Sequence, residues 1–249
     1  MKKEYASEFI GTFALVFFGC GAVAIDQLSD GALGLFGIST VFGLVVMTMV
    51  YTYGHTSGAH INPAVTIALA FSKRFDREDV LPYIGAQCAG AIAASLIHFI
   101  VLKPLFSEQN ILEKMSYGVT QPLDGSSLTV IVVEAILTFF LMAVILGSAV
   151  DKRAAGNFAG IAIGATVAFL IMFGGPITGG SLNPARSLGP AIVSGEFSHI
   201  IAYLVGPTLG AIGAAVLYDK LNSLDKQANQ EEGNAYQEEG HAYQEEGRA

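Results

Sequence analysis

The sequence predicts an all-α membrane protein, with six transmembrane helices plus two half-membrane re-entrant helices arranged as an inverted repeat. Three observations carry that expectation. Hydrophobic residues make up 52% of the 249 and charged residues only 14%, with a mean hydropathy of +0.53, and charges are missing from long stretches of chain. One string occurs twice, as Asn62-Pro63-Ala64 and Asn183-Pro184-Ala185. The segments around these two strings also match one another in order.

Apolar segments long enough to cross a ~30 Å hydrocarbon core fall at about 5–25, 33–53, 80–102, 128–150, 158–174 and 199–221. Lys2 and Lys3 before the first could mark a signal peptide. The apolar run continues to Ile25 without a small-residue cleavage site, so a retained span is expected. Lys2, Lys3, Lys73, Arg74, Arg77, Lys152, Arg153, Lys220 and Lys226 all fall on one side of a six-span arrangement. The opposite loops hold only Lys103 and Lys114, beside several acids. The positive-inside bias therefore predicts cytoplasmic N- and C-termini.

Each Asn-Pro-Ala string reads as a helix start. Asn caps the first turn with its side-chain oxygen, and Pro suits the next position, where its missing N–H costs nothing. The apolar runs that follow end near Ser72 and near Ser194-Gly195. At ~1.5 Å per residue they reach about halfway through a bilayer. Glu8 and Glu134 occupy matched places in the first and fourth spans, and Tyr83 and Tyr203 in the third and sixth. Each half is then span, span, half-helix, span, at about 4–102 and 127–221. An odd number of spans inserts the second copy upside down. The half-helices then enter from opposite sides and meet tip to tip at the midplane.

Irregular backbone at membrane depth is tolerated where it lines a wet cavity. The polar stretches 56–61 and 178–182 are thus candidate pore walls, with carbonyls as acceptors. The amide NH2 groups of Asn62 and Asn183 are candidate donors, because capping uses only the oxygen. Two helix N-termini, each carrying about half a positive charge, together with Arg186 oppose cations and protons. A passive pore for water or small uncharged molecules follows. Glu8 and Glu134 are expected to accept backbone N–H bonds from the irregular loops, and His60 to anchor the loop beside Asn62. His98 and His199 are expected near the membrane interface.

These residues strongly resemble the aquaporin, or major intrinsic protein, family. The stretch from Ser57 to Thr66 and the stretch from Asn183 to Ser187 match its two signature loops, and the resemblance covers Glu4 to Leu221. It implies homotetramers in the cell (plasma) membrane with one pore per subunit, passing water and small neutral solutes. It also implies a constriction at Phe42, Ile171, Gly180 and Arg186. Water-selective members usually carry His where Ile171 stands, and often Cys where Gly180 stands. Glycerol conductors usually carry Trp at the Phe42 position, an aromatic at Gly180, and Asp where Ser187 follows the pore arginine. The mixture here resembles the archaeal aquaporins, intermediate between the two classes. Water is the expected solute, with glycerol weaker; glycerol as main solute is the alternative.

A gradient-coupled secondary transporter also uses inverted repeats and broken helices, but its coupling-ion site would have to be built from Glu8 and Glu134. An adhesion or scaffold protein on the same fold would not need Arg186 or both Asn-Pro-Ala strings. No metal-ligand spacing, phosphate loop or nucleophile elbow appears, so neither an enzyme nor a cofactor is expected. Cys20 and Cys88 sit in apolar segments and are not expected to pair. The net charge of −8 gives no footprint for nucleic acid. Residues 1–228 form the expected channel domain. Residues 229–249, an acidic repeat of Gln-Glu-Glu-Gly units, form an expected disordered tail.

Overall fold

A computed structural model describes residues 2–102, 105, 118–154 and 156–246, with side chains as far as Leu224. The chain divides into two compact units, Met1–Ala215 and Val216–Ala249. Among the described residues six helices are long and apolar enough to cross a membrane. These are α1 (Lys3–Leu28), α2 (Gly34–Ser57), α4 (Arg77–Leu102), α5 (Ser127–Val150), α6 (Ala159–Thr178) and the stretch Ile200–Leu224 of α8. Two short helices complete the set, α3 (Pro63–Phe71) and α7 (Pro184–Ser194). Helix α8 itself runs Ile200–Glu246. The expectation for the acidic repeat falls on residues whose side chains lie outside the described set. The loop charges Lys103, Glu108, Glu113 and Lys114 also lie outside it.

The sixfold apolar pattern is thus met by six spans. The fifth extends to Thr178 because Pro176 is accommodated inside the helix. Two helices are not regular throughout. α1 contains a π-helical turn at Leu15–Cys20, and α5 ends in another at Leu146–Val150.

Small residues let the spans approach closely, as packing in lipid requires. α2 and α6 meet at Gly43 and Gly164: a Cβ on either would stand 2.6 Å from the other's carbonyl oxygen. Gly90 of α4 rests on the Phe9 carbonyl of α1, and Gly210 of α8 on the Ala135 carbonyl of α5. Matched positions of the two halves therefore make matched contacts. α4 packs against α7 and α3 against its own half's α4, which carries the two half-helices into the middle of the bundle.

Candidate pore and its constriction

Each half-helix is delivered by the same local device. α2 ends at Gly58 (φ +83°) and α6 at Gly179 (φ +80°), left-handed caps that glycine adopts without steric cost. The chain then crosses Ile61 (φ +42°) and Leu182 (φ +55°), a conformation disfavoured for side chains with a Cβ. Buried carboxylates hold it there. Glu8 accepts from the Ser57 hydroxyl (2.7 Å), the His60 N–H (2.9 Å) and the Ile61 N–H (2.6 Å). Glu134 accepts from the Thr178 hydroxyl (2.6 Å), the Ser181 N–H (2.9 Å) and the Leu182 N–H (2.7 Å). Both glutamates are fully buried.

The strained residues turn their carbonyls toward the opposite loop. The Asn183 amide donates to the Ile61 carbonyl and the Asn62 amide to the Leu182 carbonyl, each at 2.8 Å. Each asparagine also caps its own helix, through Ala64 N–H to Asn62 (2.9 Å) and Ala185 N–H to Asn183 (3.0 Å). The amide NH2 groups are therefore not wholly free. One N–H of each is committed across the junction, which leaves one per asparagine for any solute.

A cavity of about 540 Å³ passes this junction, and Asn62 and Asn183 both line it. Along α2 its wall positions include Phe42, Val46 and Val50, one helical stripe leading to Tyr51 and His55. At the Phe42 end Ile171 and Arg186 join the wall. The Arg186 guanidinium carbon stands 5.1 Å from the Phe42 ring centre, within cation–π range. Its Nη1 donates to the Gly118 carbonyl. Its buried Nε has no partner among the described residues. Gly180 is buried beside this end but does not line the cavity; a Cβ there would meet Gly175 and the Ile171 backbone at 3.3–3.5 Å. His60 lies on the wall, with Nδ1 3.1 Å from the Thr66 hydroxyl and its ring against Phe75 and Tyr83. Among the described residues no group of three His, Cys, Asp or Glu side chains could hold a metal.

A family model described as major intrinsic protein matches residues 1–218. The chain belongs to the major intrinsic protein family. Putative aquaporin NIP4-1 of Arabidopsis thaliana is 44% identical over 226 residues, covering 91% of this chain and 77% of that protein. Nodulin-26 of Glycine max is 43% identical over 228 residues, covering 92% and 81%. Among solved structures, the aquaglyceroporin from Plasmodium falciparum matches with a TM-score of 0.74 at 29% identity, over 87% of this chain and 95% of that one. Like other major intrinsic proteins, this chain is a membrane channel for small solutes and not an enzyme.

Several residues that serve this channel's loops are not evident from sequence. Tyr83 and Tyr203 match in the repeat, yet their use is visible only in three dimensions: their hydroxyls donate to the Ser57 and Thr178 carbonyls. Gln87 donates to both Glu8 (2.8 Å) and Thr66 (3.0 Å). No periodic signal marks it, but a lone amide in an apolar span could have been flagged as a buried hydrogen-bonding group. His199 pairs with the exposed Ser127 hydroxyl at 2.9 Å, whereas His98 is buried and bonded to the Phe17 carbonyl.

Proposed function

We propose that the chain is a passive channel conducting water, with weaker permeation of glycerol or other small neutral solutes, and excluding ions and protons. The observation that supports it is the cavity end where Arg186 faces Phe42, with the Asn62–Asn183 junction on the same wall. In this reading Phe42, Ile171 and Arg186 form the constriction, and Gly180, buried behind it against Gly175 and Ile171, leaves that end without a further side chain. The uncommitted N–H of Asn62 and of Asn183 orients solute at the centre. The N-termini of α3 and α7 both point at the junction, and their dipoles with Arg186 make a positive barrier. A neutral hydrogen-bonding molecule exchanges water partners for wall partners and crosses; a cation meets the barrier. Glu8, Glu134 and His60 keep the loops in place. The working form is a homotetramer in the plasma membrane with both termini cytoplasmic, one passage per subunit.

Stopped-flow light scattering on proteoliposomes tests the ranking of solutes. Osmotic shrinkage well above that of empty vesicles, with slower glycerol-driven reswelling, is expected. Glycerol flux matching that of a dedicated glycerol channel would instead establish glycerol as the main solute. The likeness to an aquaglyceroporin structure and the apolar Ile171 on the wall are what favour that second reading.

A further inference from the structure

Both sides of the constriction lean on one irregular turn of α1. The π-helical turn Leu15–Cys20 brings Gly19 flat against Phe42, so closely that a Cβ there would overlap the ring. The next residue, Cys20, lies under Gly118, where a Cβ would stand 2.5 Å from the Cys20 Cβ. Gly118 is the residue whose carbonyl accepts from Arg186. A π turn is a less favourable backbone than the α-helix around it, so something must hold it.

His98 of α4 touches that turn. It is 3% exposed, and its ring stacks on Phe17 with centres 5.1 Å apart. Its Nε2 stands 2.8 Å from the Phe17 carbonyl. A carbonyl only accepts, so Nε2 is the donor, and in the neutral ring Nδ1 then carries no proton. The same carbonyl also accepts from the Gly21 N–H, which is shared with the Phe18 carbonyl where the chain leaves the turn for regular helix. Nδ1 is buried with no partner among the described residues. A leucine would fill the site without that unsatisfied atom. What the imidazole supplies in return is the one bond to the π turn.

We propose that His98 is a positioning residue for the constriction: by holding the Phe17 carbonyl it fixes the turn that seats Phe42 on one side and, through Cys20 and Gly118, Arg186 on the other. The inference rests on the reading of Phe42 and Arg186 as the selective end of a water channel. Loss of the bond lets the turn relax, and the passage widens for part of the time.

The test uses the full chain in proteoliposomes and reads the ratio of glycerol to water permeability, which does not depend on how much protein inserts correctly. His98→Leu is expected to raise that ratio about fivefold, the scale of one lost hydrogen bond. His98→Gln, whose amide reaches the same carbonyl, should restore it to within about twofold of the parent, a residual far smaller than that bond is worth. Gly21→Ala is an independent probe, because its methyl would stand 3.1 Å from the His98 Nε2; it should raise the ratio with His98 intact. An unchanged ratio in His98→Leu, or equal rises in His98→Leu and His98→Gln, overturns the proposal while leaving the channel reading untouched. If the parent chain conducts no water, the channel reading fails instead. The proposal is then decided by amide hydrogen exchange at residues 15–21, which His98→Leu must accelerate and His98→Gln must not.

Discussion

The cavity has two ends built from paired positions, and they differ in chemistry. Gly43 with Gly164, Gly58 with Gly179 and Asn62 with Asn183 all stand 121 residues apart, so the register between the halves is constant here. The same spacing pairs Phe42 with Ile163, Ile171 with Val50, and Arg186 with Val65, and all six line the cavity. One end receives an aromatic ring and a guanidinium; the equivalent places at the other end hold only aliphatic side chains. The repeat thus gives a symmetric frame, and the two ends differ where Phe42 and Arg186 stand opposite Ile163 and Val65. The frame lies in the paired carboxylates and crossed asparagines, whose bond lengths agree within about 0.1 Å between halves.

The frame is where breaking the symmetry should cost most. Glu8→Leu strands four donors, those of Ser57, His60, Ile61 and Gln87. Glu134→Leu strands three, because Pro207 occupies the place that matches Gln87 and offers no amide. At about 1–3 kcal/mol for each buried donor left unpaired, either change should prevent most of the protein from folding. Glu8→Leu should be the more severe by roughly one such increment. Size-exclusion profiles and thermal denaturation in detergent would measure this. Equal or reversed severity would mean that the Gln87 bond adds nothing.

Much of this frame was open to reading from sequence alone. Six apolar stretches and two Asn-Pro starts fix the element order, because bilayer thickness and helix capping leave few alternatives. The repeated Glu8 and Glu134 pointed to the loops, since a buried acid in lipid needs donors and only irregular backbone has them to spare. What stayed hidden depends on side-chain direction and on departures from helical period. The π turn at Leu15–Cys20 leaves no compositional trace, so neither Gly19 under Phe42 nor His98 on Phe17 could be anticipated. The cross-junction bonds of Asn62 and Asn183 were likewise missed, because capping accounts for the amide oxygen and says nothing of where the NH2 points. Gly180 shows the limit of spacing arguments: its position follows from Asn183, but the direction of its missing Cβ does not.

The Arg186 end of the cavity should give the next largest effect. Arg186→Ala removes the guanidinium from Phe42 and from the Gly118 carbonyl, and both widens and uncharges that end. Urea and proton permeability should rise on the order of tenfold, the equivalent of one charge-assisted hydrogen bond lost, with water flux kept. Val65→Ala at the paired position should leave both near the parent values. Tracer urea uptake and a pH-sensitive dye inside the vesicles report the two. A matching rise in Val65→Ala would show that the asymmetry between the ends carries no selectivity.

The starts of the two halves differ too, and here the effect is smallest. α1 begins without a side-chain cap, tethered instead by Lys2 to Asp79 at 3.1 Å. α5 begins with Ser126 accepting from the Thr129 N–H, while Asp124 accepts from the Thr129 hydroxyl (2.6 Å) and the Ser126 N–H (3.0 Å). Those bonds, the hydroxyl first, hold the Asp124 carboxyl below the ordinary aspartate value. A group lowered in the folded state lends its stability above the ordinary value, and that contribution fades as pH falls through the lowered one. As pH drops below about 4, the start of α5 should fray in the parent chain. Asp124→Asn should already show the frayed behaviour at neutral pH and change little further on acidification. Amide exchange at residues 127–130, compared between parent and variant at each pH, measures this without interference from the intrinsic exchange rate. An acid response that persists unchanged in Asp124→Asn would assign it to another group and leave Ser126 as the whole of the cap.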